Sequence, residues 1–210
     1  MKNILIANTK GGCGKTTLAT NLAAYFALSG GQVILSDMDR QKSSTQWIYR
    51  RPINAPLIHA HDARGKPPKF EPDWLITDSP AGIRDERLSN AIKLADCVIV
   101  PIQPSAFDIG ATKDFLDILA EEKAIRKSKT FVALVGMRVN ARTNAAAGLA
   151  QSIEQMGFPV LTYLRNAQVY ASAAEQGISL FEMRPSLVKQ DLEQWRPLLK
   201  WISDTTSTKI

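Results

Sequence analysis

Lys10-Gly11-Gly12-Cys13-Gly14-Lys15-Thr16-Thr17 is the stretch on which the reading of this chain turns. Before it, residues 4–7 form a short apolar run. After it, Leu18, Leu22, Ala23, Phe26 and Ala27 recur at helical spacing, so the loop joins a strand to a helix. A loop of small residues in that place curls around phosphate, because its glycines reach backbone angles and approach distances that side chains forbid. Its N–H groups and the helix N-terminus supply donors and positive potential. Lys15 adds a full charge directed at the β- and γ-phosphates, and Thr16 carries the hydroxyl expected on Mg²⁺. Thr9 stands where the common phosphate-loop spacing has glycine, and Lys10 adds a second lysine. Lys10 reads either as a solvated loop cation or as a second charge for the phosphates, where a single lysine does not match the charge that develops during transfer.

Outward from the loop, residues 33–35 are a second apolar run ending at Ser36-Asp37, and residues 74–77 are another ending at Asp78. Further strands are expected at 97–102, 130–135 and 160–163, and helices at 46–49, 88–95, 109–120, 145–156, 169–176 and 187–202. Residues 62–72, with Gly65, Pro67, Pro68 and Pro72, read as a surface connection. Apolar strands alternating with helices predict an α/β fold, a mostly parallel twisted β-sheet flanked by helices, with ligands at the strand C-terminal ends. Asp37 and Asp78 then face the same crevice as the glycine-rich loop. Asp39, two residues beyond Asp37 in an extended segment, points the same way as Asp37. A carboxylate there either serves magnesium and the attacking water or caps a helix starting near Ser43.

The length of 210 residues predicts one domain, with a short polar tail at about 203–210. Cys13 and Cys97 make no disulfide framework, and a reducing cytosol is the simpler context. No charged-then-apolar leader is expected at the N-terminus, and no apolar run approaches the ~20 residues of a membrane span. His59 and His61 alternate in a short strand without a cysteine cluster, which does not suggest a metal site. The net charge of +6 fits either plain solubility or a polyanion partner. Its distribution bears on that choice: Lys123, Arg126, Lys127, Lys129, Arg138 and Arg142 fall in a stretch, 123–142, that has no acidic residue.

The run from Lys10 to Thr17 resembles the deviant Walker A motif of the ParA/MinD family of P-loop ATPases. The likeness continues through Asp37-Met38-Asp39-Arg40-Gln41, with Arg40 where the family usually has proline. It extends through Ile76-Thr77-Asp78-Ser79-Pro80-Ala81-Gly82, which is similar to the Walker B region, and through residues 98–105. Gln168-Val169-Tyr170 resembles a segment of the small plasmid-partition members. The resemblance implies a P-loop NTPase fold and ATP hydrolysis with Mg²⁺, slow until a partner stimulates it. It implies nucleotide contacts from Lys10, Gly11, Gly12, Cys13, Gly14, Lys15, Thr16 and Thr17, catalytic roles for Lys10, Lys15 and Asp39, and metal roles for Thr16, Asp37 and Asp78. Asp39 would activate the water, Asp37 support the magnesium shell, and Lys10 reach the ATP of a partner in a nucleotide-sandwich homodimer. Adenine would lie near Arg138, Val139 and Asn140 and near residues 165–168.

The implied output is a change of state. DNA-partition members bind duplex DNA without sequence preference as ATP dimers and respond to a cargo-bound, ParB-like adaptor, which implies a cytoplasmic, nucleoid-associated protein. Residues 123–142 and Lys189, Arg196 and Lys200 are the basic candidates for DNA contact. The alternative is a MinD-like membrane-cycling regulator, in which the apolar and basic residues of 187–202 form an interfacial anchor. A core-covering role for the same helix, and the polar residues after it, weigh against membrane binding. A cysteine-bridged metallocluster is disfavoured, because only Cys97 lies outside the phosphate loop.

Overall fold

A computed structural model describes residues 1–62, 70–140 and 157–207, and the helix expected at 145–156, Arg142 and the centre of the 62–72 connection lie outside them. Seven strands make one sheet: β1 (Lys2–Ile6), β2 (Val33–Asp37), β3 (Ile58–Asp62), β4 (Trp74–Asp78), β5 (Cys97–Ile102), β6 (Phe131–Val139) and β7 (Val160–Arg165). Their order is β3-β2-β4-β1-β5-β6-β7, and every neighbouring pair is parallel. The helices are α1 (Lys15–Leu28), α2 (Ser43–Tyr49), α3 (Asp85–Leu94), α4 (Ala106–Glu121), α5 (Lys123–Arg126), α6 (Gln168–Glu175) and α7 (Pro185–Ser207).

The period-two alternation of the strands divides the apolar side chains between two cores. Ile4, Ile6, Val33, Leu35, Ile76 and Ile99 face one core, beneath α1, α2, α6 and α7. Leu5, Ala7, Val98, Val100 and Leu134 face the other, beneath α3 and α4. Burial on both faces explains the near-continuous apolar runs Cys97–Ile102 and Val33–Asp37, which show no alternation in the sequence.

β1 lies between β4 and β5, and the chain leaves it toward β2 on one side and later crosses to β5 on the other. This reversal opens a crevice above the C-terminal end of β1, where the glycine-rich loop begins. The last helix runs through Ser207, so most of the polar residues expected as a tail extend α7. Thr206 supports that end, its hydroxyl donating to the Ile202 carbonyl at 2.8 Å.

Candidate nucleotide and magnesium site

The glycine-rich loop is tied down at both ends by side chains outside it. Asn8 is fully buried; its amide donates to the Pro101 carbonyl at 2.8 Å and the Thr112 hydroxyl at 2.9 Å, and its oxygen accepts the Lys10 N–H at 3.1 Å. Gln103 Nε2 donates to the Gly12 carbonyl at 2.6 Å. Gly82 N–H donates to the Thr9 carbonyl at 2.9 Å, fastening the segment after β4 to the loop. Neither Asn8 nor Gln103 was picked out by sequence reasoning, because each acts through contacts about ninety residues away in the chain. Gly14 takes a φ of 104°, an angle that side-chain-bearing residues rarely adopt, and a Cβ there would also push aside the flexible end of Met137, whose Cε would stand 2.7 Å away.

Lys15 opens α1 and is buried; its ammonium donates to the Lys10 carbonyl at 2.8 Å and approaches Cys13 Sγ at 3.7 Å. Cys13 is 1% exposed, its Sγ lies 3.2 Å from the Lys10 carbonyl, and burial raises its thiol pKa despite the nearby Lys15. Among the described residues no carboxylate pairs with Lys10. Gly11 and Gly12 beside it are exposed.

Asp37 and Asp78 are register partners on adjacent strands, and both are buried. Thr16 Oγ1 donates to Asp78 Oδ2 at 2.8 Å, while Asp78 Oδ1 has no partner. Burial pushes Asp78 up to about 7, and the adjacent Asp37 carboxylate adds to the effect. The hydroxyl of Ser79 is likewise buried without a hydrogen-bond partner, whereas the buried Ser44 hydroxyl lies against the Asp78 carboxylate and partly offsets the effect of burial on it. Oxygen donors and orphaned buried acceptors fit a magnesium ion, which keeps most of its water and takes few protein ligands. Among the described residues no group of three or more His, Cys, Asp or Glu is placed to hold a metal by itself.

Asp37 and Asp39 do not share an extended segment. The strand stops at Asp37, and the Asp39 N–H turns back to Asp37 Oδ1 at 2.9 Å. Asp37 Oδ2 accepts the N–H and hydroxyl of Thr45 at 3.0 and 3.1 Å, thereby capping the first turn of α2. Capping and proximity to Asp78 coexist in this residue. Asp39 is half-buried and accepts the Gln41 N–H at 2.9 Å, and it is less enclosed than the fully buried Asp37.

Past the loop lies a cavity of about 320 Å³ lined by Gly14, Thr17, Arg138, Arg165, Gln168 and Tyr170, among others. The β6–β7 register slips between Gly136 and Val139, and Arg138 within that irregularity has a φ of 53°. Arg165 is held by the buried Asp191 through Nε at 2.7 Å and Nη2 at 2.8 Å. Arg138 and residues 165–168 thus line one cavity beside Gly14 and Thr17. Asn140 instead lines an adjoining cavity, with Arg138, Arg165 and Asn166.

The acid-free stretch does not make one patch. Lys123, Arg126, Lys127 and Lys129 are exposed at the N-terminal end of β6, and Arg138 sits at its C-terminal end, across the sheet. Lys189, Arg196 and Lys200 are exposed on α7.

The model of the CobQ/CobB/MinD/ParA nucleotide binding domain matches residues 4–180. The maintenance of carboxysome distribution protein A of Halothiobacillus neapolitanus is 27% identical over 189 residues, covering 86% of this chain and 87% of that protein. Protein ParA of Rhizobium radiobacter is 26% identical over 201 residues, covering 88% and 87%. Among solved structures, the ATP complex of a Cyanothece McdA variant superposes with a TM-score of 0.76 at 20% identity, over 100% of this chain and 98% of that one. The Borrelia burgdorferi plasmid partition protein bound to AMPPNP gives 0.71 at 18% identity, over 95% and 98%. With the loop, the paired aspartates and the parallel sheet in place, the chain belongs to the CobQ/CobB/MinD/ParA nucleotide-binding family of P-loop ATPases.

Proposed function

We propose that this chain is a Mg²⁺-dependent ATPase whose ATP-bound homodimer binds duplex DNA without sequence preference and, stimulated by a cargo-bound ParB-like adaptor, positions a plasmid, chromosome or other intracellular cargo. The observation that carries the reading is Lys10. It has no carboxylate partner among the described residues and stands beside two exposed glycines, while Lys15 already provides the charge within its own loop. A charge so placed suits the phosphates of a second copy's nucleotide. The relatives named for ParA and for carboxysome distribution support a positioning role.

In the chemistry, Asp39 would orient and polarise the attacking water. Lys15 and Lys10 would neutralise charge on the transferred phosphoryl group, with the loop N–H groups as fixed donors. Thr16, Asp78 and Asp37 would hold Mg²⁺, which when bound neutralises phosphate oxygens. Dimerisation doubles the phosphate contacts made by exposed lysines and arginines, steepening both DNA affinity and its salt dependence. The membrane alternative draws less support, since Val188, Trp195, Leu198 and Ile202 of α7 are buried in the core, Leu192, Leu199 and Trp201 are half-buried, and Leu187 alone among its large apolar side chains is exposed.

The test is a DNA titration without nucleotide and with ADP, ATP or a slowly hydrolysed ATP analogue. Salt-sensitive binding confined to ATP and its analogue is expected. Binding indifferent to nucleotide would remove the switch, and co-pelleting with anionic liposomes in place of DNA would favour membrane cycling.

A further inference from the structure

Three side chains from one turn of α7 reach the segment that walls the base cavity. Asp191 holds the Arg165 guanidinium by two bonds, Gln194 Oε1 accepts the Arg165 N–H at 3.0 Å, and Trp195 Nε1 donates to the Tyr170 hydroxyl at 3.2 Å. Their i, i+3, i+4 spacing puts them on a single face of the helix. The Gln194 carbonyl also accepts the Thr162 hydroxyl at 2.6 Å, adding a tie to β7.

Covering the sheet explains Trp195, Leu198 and Ile202, but not a fully buried carboxylate among them. An aliphatic residue of similar size would cover the sheet without the desolvation cost of a buried charge. What Asp191 adds is orientation. It takes up Nε and one Nη2 hydrogen of Arg165, leaving three of the five guanidinium N–H groups for the cavity that Arg165 lines. Tyr170, which lines the same cavity, receives the Trp195 N–H and has its own pKa pushed up to about 12 by burial, so its hydroxyl stays neutral and retains a proton to donate.

We propose that this turn of α7 belongs to the nucleotide site: Asp191 is a positioning residue that holds Arg165 against the nucleoside half of the nucleotide, and Trp195 steadies Tyr170 in the same wall. The inference rests on the assignment of this cavity to the base and ribose. It ties the end of the chain to a pocket otherwise made by β6, β7 and α6.

Calorimetric titration of the full chain with Mg²⁺ and either a slowly hydrolysed ATP analogue or inorganic tripolyphosphate separates the two halves of the ligand. For Asp191→Asn we expect the analogue to bind about tenfold more weakly, with tripolyphosphate affinity within about twofold of wild type. Equal losses for both ligands, or an undiminished affinity for the analogue, would overturn the positioning role. The double variant Arg165→Gln with Asp191→Asn keeps a neutral hydrogen-bonding pair and guards against misfolding of the single variant, with circular dichroism as the check. Its loss should match that of Asp191→Asn alone, because the two residues act as a unit; a larger, additive loss would contradict that. Wild-type protein that binds tripolyphosphate as tightly as the analogue would instead remove the cavity assignment itself, and the inference with it.

Discussion

The phosphate-loop end and the proposed base end of the crevice are built by different means. At the phosphate-loop end the site is one run of consecutive residues, and the carboxylates sit at the ends of two adjacent strands. Charge there is left unpaired or set against like charge: Lys10 has no carboxylate partner among the described residues, and Asp37 lies beside Asp78. At the base end the wall comes from β6, β7, α6 and, through Asp191, α7, and its arginine is locked in a bidentate pair. Charge at one end is held in readiness for a ligand, and at the other it is already part of the fold. Substitutions at the first end should therefore cost chemistry, and at the second stability as well.

The strongest way to break that contrast is Asp39→Ala. Phosphate release should fall by about 10²–10⁴-fold, with the ATP-dependent dimer and the melting temperature retained. Wild-type turnover in this variant would remove Asp39 from the chemistry. Lys10→Ala should lower turnover by about 10²–10³-fold and abolish ATP-dependent dimerisation while leaving the monomer intact; an unchanged dimer fraction on sedimentation would count against a role across the interface. At the other end, Arg165→Ala strands the buried Asp191 and should cost on the order of 2 kcal/mol, lowering Tm by about 4–8 °C. A melting curve superimposable on wild type would show that the contrast is misdrawn.

A further effect at the phosphate-loop end is in pH. Because burial raises Asp78 to about 7, the folded chain keeps a proton there that the unfolded chain has lost above about 4. Without metal or nucleotide, stability should fall as pH rises between those values, by at most about 1.4 kcal/mol per pH unit. Asp78→Asn should flatten the profile, which thermal melts at pH 5 and 7.5 would measure. Mg²⁺ with an ATP analogue should stabilise wild type more at the higher pH, since the metal takes the deprotonated carboxylate.

The two ends also differ in how far they could be read in advance. Gly14, Lys15, Thr16 and the strand-end aspartates were legible because the fold places them through short local patterns, strand then loop then helix. The sheet's order could not be inferred, since the insertion of β4 between β1 and β2 depends on packing between segments seventy residues apart. Asn8 and Gln103 escaped notice because an amide reaching across the sheet leaves no periodic signal. An extended segment through Asp37 and Asp39 would point both side chains the same way, but the strand ends at Asp37, whose carboxylate accepts the Asp39 N–H in a turn. At the proposed base end, the resemblance implies the segments around Arg138 and residues 165–168, which line one cavity, but no pattern marks Asp191, lying 26 residues from its arginine in an ordinary amphipathic helix.

Cys13 brings a different kind of reactivity into the phosphate loop. Thiolates, not thiols, react with electrophiles and oxidants, and this one is 1% exposed with its pKa raised by burial. While the loop keeps this shape, the sulfur should resist alkylation and peroxide alike, so the loop is shielded from redox conditions by its own packing. Any rearrangement that opens the loop would unmask it. The rate at which iodoacetamide labels Cys13 is therefore a native clock for loop opening, readable by mass spectrometry and requiring no engineered probe.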